Sequence, residues 1–192
     1  MTERQTYYRA FSRMAWGYFF LFFDINFSLI SILPRFVGFL MFFAAINVLS
    51  QQQRNLSLLR PLCLLLAAYY LLSWILSWFS SSLLENILFL DILVTAVELY
   101  LHFQLLTDLA DLAQRYQTPG KDLDQKILNR RTMLVLLVTA GKFLTFLFPG
   151  LWENSLIFFG VLSFISFLVA LFVMIALFSL RRCYWEATEV PS

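Results

Sequence analysis

From Ser155 to Leu180 the chain reads SLIFFGVLSFISFLVALFVMIALFSL, without one ionisable side chain. About 20 apolar residues in a helix cross the hydrocarbon core of a bilayer. In lipid a backbone finds hydrogen-bond partners only within its own segment or a closed barrel. This block therefore reads as a transmembrane helix. Similar blocks recur along the chain: WGYFFLFF from Trp16, FVGFLMFFAAINVL from Phe36 and LCLLLAAYYLLSWILSWF from Leu62. Of 192 residues, 60% are hydrophobic and 14% charged, against about 45–50% and about 25% in an ordinary soluble domain. With 22 Phe against 6 Gly and 5 Pro, disorder, collagen-like repeats and a Gly/Asn-turned barrel are poor fits.

The expected fold is an all-α bundle of six transmembrane helices, at about 7–26, 34–50, 61–82, 86–107, 132–148 and 155–180, arranged as three hairpins in a single domain. Pro34 and Pro61 stand where a fixed φ suits a first helical turn. The apolar run after Arg13 lacks a small-residue cleavage site, so the first span reads as an uncleaved anchor. Between the fourth and fifth spans, residues 108–131 predict a helical extension outside the hydrocarbon. Its apolar stripe is Leu105, Leu109, Leu112 and Tyr116, beside Asp108, Asp111 and Arg115, with a turn at Thr118, Pro119 and Gly120. Leu84-Glu85-Asn86 and Trp152-Glu153-Asn154, at an offset of 68 residues, precede the fourth and sixth spans, a likeness that duplication and convergence both explain.

Orientation follows from Lys and Arg, which cytoplasmic loops retain. Of the 14 basic residues, Arg4, Arg9, Arg13, Arg54, Arg60, Arg115, Lys121, Lys126, Arg130, Arg131, Arg181 and Arg182 fall in the tails and the second and fourth connections. Only Arg35 falls on the other side, and Lys142 lies inside a span. Six spans with both termini in the cytoplasm fit this alternation. Cys63 and Cys183 then both lie near the reducing face, where a bridge is not expected. Tyr7, Tyr8, Tyr184 and Trp185 are expected in an interfacial aromatic belt, and Trp74 and Trp78 in helix packing.

The fourth span carries the main polar constellation. Asp91, Thr95, Glu98 and His102 fall at i, i+4, i+7 and i+11, one face of a helix. A charge at bilayer depth costs about 2.5–3.5 kcal/mol on insertion scales, so this face is expected to look into the bundle. Lys142, on the antiparallel fifth span, is the only cation at that depth. At about 1.5 Å rise per residue, Asp91 lies about 7 Å below the outer boundary, Lys142 about 10 Å and Glu98 about 18 Å. Lys142 thus reaches Asp91 most directly. Two uses are open. In one, Asp91 and Lys142 form a buried pair while Thr95 and His102 bond to neighbouring helices. In the other, the five residues bind a small ligand or relay protons, with Glu98 the titrating group. Asp24 and Arg35 flank the first outer turn and form a second candidate pair.

Enzyme signatures are missing. One histidine allows no HExxH and no His-rich metal site, and G-x-S-x-G, Gly-rich phosphate loops and cysteine pairs do not occur. No enzymatic activity, metal or cofactor is expected. A formal charge of +2 gives no reason to expect nucleic acid. The expected partners are the lipid bilayer and a further membrane protein or a second copy.

Asp24-Ile25-Asn26 followed by Ile32-Leu33-Pro34-Arg35-Phe36-Val37-Gly38-Phe39 resembles the opening of an uncharacterised group of small multi-spanning proteins of gut Clostridia and other Firmicutes. The resemblance is close over about 35 residues and elsewhere extends to span pattern and length. It implies placement in a bacterial cytoplasmic membrane and carries no activity with it. In hairpin terms, Pro34 starts the second helix and Gly38 lets the first approach. The leading expectation is a non-enzymatic membrane subunit or small-solute binder. A proton-coupled transporter or channel and a purely structural membrane protein are the alternatives.

Overall fold

A computed structural model describes residues 3–22, 26–27, 30–31, 34–78, 88–118, 120–147 and 156–188. The described residues form six α-helices: α1 (Glu3–Phe22), α2 (Arg35–Leu49), α3 (Arg60–Ser77), α4 (Leu88–Tyr116), α5 (Leu123–Leu147) and α6 (Leu156–Ala187). Two short strands, β1 (Asn26–Phe27) and β2 (Ile30–Ser31), pair antiparallel between α1 and α2. Three helical stretches are long and apolar enough to cross a membrane: Arg54–Ser77, which includes a 3₁₀ lead-in at Arg54–Leu59, Phe89–Tyr116 and Gly160–Ala187. The apolar α2 is shorter, at 15 residues. The repeat tripeptides around Glu85 and Glu153 lie outside the described residues.

Helix ends follow the local chemistry. Pro34 caps α2 from outside, at φ −71°, and Pro61 stands in the first turn of α3. After α2, the Gln51-Gln52-Gln53 stretch folds back on the helix, with the Gln52 and Gln53 amides both bonded to the Leu49 carbonyl. The α4–α5 connection turns at Gly120, whose φ of +92° is reached cheaply only without a Cβ. Gln117 then caps α5. Its Oε1 accepts from the Leu123 amide at 2.9 Å, and its Nε2 donates to Asp124 Oδ1 at 3.0 Å.

The helices form a ring in which α3, α2, α1, α6, α5 and α4 are successive neighbours. The members of each expected hairpin are adjacent in this ring, and the second hairpin is the loosest. The heaviest pairings are α1–α2, α1–α6, α4–α5 and α2–α3, while α3 and α4 touch only lightly. The reason lies in α3, where Cys63, Leu66 and Ala67 are buried near its start and Leu71, Leu72, Ile75 and Trp78 are exposed further along. A helix with so little inward apolar surface gives α4 little to pack on.

The helices α1 and α2 approach closely at Gly17 and Gly38. A Cβ built on Gly38 would lie 2.9 Å from the Gly17 carbonyl and 2.8 Å from Leu21 Cγ, and one on Gly17 would lie 2.5 Å from Phe42. Two facing glycines thus bring the backbones together, as small residues do in membrane helix pairs.

Packing is polarised along the bundle axis. The first turns of α1 and the last turns of α6 meet at one end, here the terminal pole, where Tyr7 packs on Tyr184 at 5.7 Å and Arg4 bonds the Trp185 carbonyl at 2.7 Å. Phe11, Met14, Leu49, Leu56, Leu105, Leu109 and Leu112 are fully buried there. The stripe anticipated for the 108–131 extension is therefore interior, and α4 runs into it without a break. Arg131 donates to Thr107 Oγ1 at 2.7 Å and Arg130 to the Phe172 carbonyl, tying α5 to α4 and α6. Tyr7 and Tyr184, two of the residues expected in an interfacial aromatic belt, are 2% and 4% exposed, because four elements converge on their rings. At the opposite pole Trp78, Phe89, Phe143 and Phe164 are exposed.

Two measurements follow. Gly38→Ala forces a Cβ onto backbone, so it is expected to cost about 1–3 kcal/mol, the range of core overpacking, as a lowered thermal midpoint in detergent. Gly160→Ala, with nothing within 4 Å of its new Cβ, leaves the midpoint unchanged or raises it. Separately, the hydrogen bond from Gln117 holds the Asp124 carboxyl below its ordinary range. A carboxylate so depressed adds stability above the unfolded titration, near pH ~3.9, and loses it as pH falls through the folded one. Carboxyl NMR of Gln117→Ala should show Asp124 titrating higher than in the parent chain.

Candidate functional site

The fourth-span face does not act as one site. The four residues span about 60° of helix circumference at 100° per residue, enough for side-chain reach to divide them. Asp91 and Thr95 turn toward α5, while Glu98 and His102 turn toward α1, α2 and α3.

The inner half is a row of polar groups, Tyr70, Glu98, His102 and Tyr18, drawn from α3, α4 and α1. Tyr70 of α3 donates to Glu98 Oε2 at 2.9 Å. His102 Nε2 lies 3.8 Å from Glu98 Oε1, is buried and has no hydrogen-bond partner. On the other edge of the ring, His102 Nδ1 lies 3.3 Å from the Tyr18 hydroxyl of α1, and the tautomer decides which of the two donates. Rings close round this row. Phe39 stacks on Tyr70 at 5.3 Å, and Phe42 meets His102 edge-on at 6.1 Å and Tyr18 at 5.0 Å. His102 and Tyr18 are 3% and 1% exposed.

Arg35 also belongs to this inner half. Its guanidinium lies 5.9 Å from the Tyr70 ring centre and interacts electrostatically with Glu98. The sequence placed Arg35 at the outer turn with Asp24, and Asp24 lies outside the described residues. Arg35 is the first residue of α2, and a long, flexible stem can carry an arginine charge well away from its own Cα. Tyr70 and Tyr18 were missed because nothing in a tyrosine's own sequence neighbourhood marks it as a carboxylate partner.

The outer half is an ion pair in a cleft. Lys142 Nζ donates to Asp91 Oδ1 at 2.8 Å and Oδ2 at 3.0 Å, the pairing that the helical rise predicts. The pair is not buried, however. The two side chains are 49% and 45% exposed and line an open cleft between α4 and α5. The expectation that this part of the face looks into the bundle is thereby corrected. The cleft has a volume of about 550 Å³, and its apolar walls are Ile92, Ala96, Leu99 and Phe143. Thr95, Thr139 and Thr145 also line it, although the Thr145 hydroxyl is committed to the Gly141 and Lys142 carbonyls at 3.2 and 2.8 Å.

A third polar group, at the terminal pole, was read in the sequence only as the end of the second span. Gln51 accepts from Tyr7 at 3.2 Å, Gln52 from Tyr116 at 2.8 Å and Gln53 from Arg115 at 3.0 Å. The Tyr116 and Tyr184 rings lie 4.9 Å apart. Three successive amides thus clasp α1 and α4 to the end of α2, and α6 joins through Tyr184. This group holds the bundle together and offers no open cavity for chemistry. Both cysteines are free and buried. No cluster among the described residues has the ligand types and spacing to hold a metal ion.

Comparison with protein-family models, with curated proteins and with solved structures finds no match to this chain.

The inner row makes a quantitative expectation. Tyr70→Phe strips Glu98 of a donor in a packed setting, at a cost of about 1–3 kcal/mol for an unsatisfied group. Because Glu98→Gln relieves the same charge, the double variant should cost less than the sum of the single ones in a thermal-unfolding cycle.

Proposed function

We propose that this chain is a polytopic protein of the bacterial cytoplasmic membrane, with six spans and both termini in the cytoplasm, that binds a small solute between α4 and α5 and catalyses no reaction. The topology draws support from the gathering of Arg4, Arg60, Arg115, Lys121 and Arg181 contacts at the terminal pole, where Arg60 bonds Ser50 and Lys121 pairs with Glu186 at 3.5 Å. The positive-inside tendency turns such a pole toward the cytoplasm. The family resemblance of the first hairpin favours the same membrane.

One observation carries the binding reading: an ion pair with nearly half of each side chain uncovered, set among apolar walls. Facing hydrocarbon alone, those charges are costly. Facing a solute with charged or polar groups of its own, they acquire partners. The cleft volume lies within the roughly 300–1,000 Å³ of small-molecule sites. Its donors and acceptors are one ammonium, one carboxylate and the threonine hydroxyls of Thr95 and Thr139, a set suited to a small molecule that bears both a basic and an acidic group. A proton relay through Glu98, His102 and Tyr18 is the weaker reading, because His102 and Tyr18 are sealed by rings.

The test is native mass spectrometry of the full chain released from mild detergent. A retained non-lipid small molecule is expected, with occupancy reduced on the order of tenfold, about 1.4 kcal/mol, in Asp91→Asn and in Lys142→Met. No retained mass, or equal occupancy in all three proteins, removes the cleft from this role. A co-purifying polypeptide displaced by the same variants would assign the cleft to a partner subunit instead.

A further inference from the structure

A second cavity, also of about 550 Å³, opens at the terminal pole between the first turns of α1 and the last turns of α6. Its lining is Gln5, Tyr8, Arg9, Arg181, Arg182 and Trp185. Three of the six are guanidinium groups and none is a carboxylate. Glu186, on the same turn of α6, is paired with Lys121 at 3.5 Å.

The walls are held in place. Arg181 lies 4.6 Å over the Tyr8 ring and 4.9 Å over the Phe178 ring, and donates to Ser12 Oγ at 3.1 Å. Its Nε is buried and has no acceptor within the protein. Arg4 lies 3.6 Å over the Trp185 ring and donates to the Trp185 carbonyl, while Trp185 meets Tyr8 edge-on at 5.3 Å. A planar guanidinium fixed by stacking is suited to bidentate binding of tetrahedral oxyanions. Away from the cavity, a continuous apolar path runs from Arg181 to Phe178 and on to Trp16, whose ring lies 6.2 Å from Phe178 and is 46% exposed. The cationic cavity therefore sits at the edge of apolar surface that suits acyl chains.

We propose that the α1–α6 cavity binds a phosphate group through Arg9, Arg181 and Arg182, and that the phosphate is that of an anionic phospholipid whose chains lie along Phe178 and Trp16. Basic pockets between membrane helices on the cytoplasmic side bind such headgroups, and each basic residue near the surface contributes enough for about a fivefold change in binding. The site is independent of the α4–α5 cleft, and its variants leave Asp91 and Lys142 untouched.

The experiment measures thermal midpoints and native-mass lipid retention of the full chain in detergent. The additions are phosphatidylglycerol, phosphatidylcholine and, at matched ionic strength, inorganic phosphate. Phosphatidylglycerol should be retained and raise the midpoint, with phosphatidylcholine and inorganic phosphate having little effect. Arg182→Gln should weaken retention about fivefold. Gln5→Glu, which places a negative charge at the exposed rim and leaves every arginine in position, should weaken it at least as much. Arg54→Gln, an exposed basic residue outside the cavity, should leave it unchanged. A shift of equal size with inorganic phosphate keeps the phosphate site and makes a soluble anion its source. The proposal is overturned if neither anion shifts the midpoint, if Gln5→Glu and Arg182→Gln bind as the parent does, or if Arg54→Gln weakens binding equally.

Discussion

A carboxylate set near the middle of an apolar bundle must find its donors within its own chain, and Glu98 organises four helices by doing so. Tyr70 comes from α3, Arg35 from α2 and His102 from the next turn of α4, and His102 passes the contact on to Tyr18 of α1. The rings of Phe39 and Phe42 fit against these groups only because α1 and α2 meet backbone to backbone at Gly17 and Gly38. Polar contact and close packing are one arrangement here. His102 Nε2 stays without a hydrogen bond and carries the desolvation cost of a buried unsatisfied group.

The bundle is tight at one pole and open at the other, and the difference is chemical. At the terminal pole three glutamine amides, three tyrosines and the long apolar side chains of α1, α4 and α6 interlock. Toward the other pole α3 turns its large side chains outward, α4 loses a neighbour, and the Asp91–Lys142 pair is uncovered between α4 and α5. An uncovered charged pair of this kind is costly in an apolar setting, which is why the proposed site is this cleft and not the better-sealed surroundings of Glu98.

Much of the fold was legible in the sequence. Long apolar blocks separated by charged or Pro/Gly-bearing connections announce helices, and the described helices fall on those blocks. The Lys142–Asp91 pairing followed from helical rise alone, and periodicity marked the apolar stripe from Leu105 to Tyr116. Lateral order was not legible, because periodicity tells which face of a helix is apolar but not which helix will cover it. The light α3–α4 seam and the burial of Tyr7 and Tyr184 depend on that order. The division of the Asp91–His102 face had a different cause. Over so narrow an arc, the length and partners of each side chain outweigh its angular position, and a flexible arginine such as Arg35 can join a site from the next helix.

The seam between α1 and α6 bears on folding. Arg4 finds its partner in Trp185, 181 residues further along the chain, and Tyr7 and Phe11 find theirs in Tyr184. While α2 can cover one side of α1 early, the side that meets α6 stays bare until α6 has been made. Contacts of such long separation form late and leave intermediates exposed. During synthesis that bare side is open to chaperones and quality-control proteases.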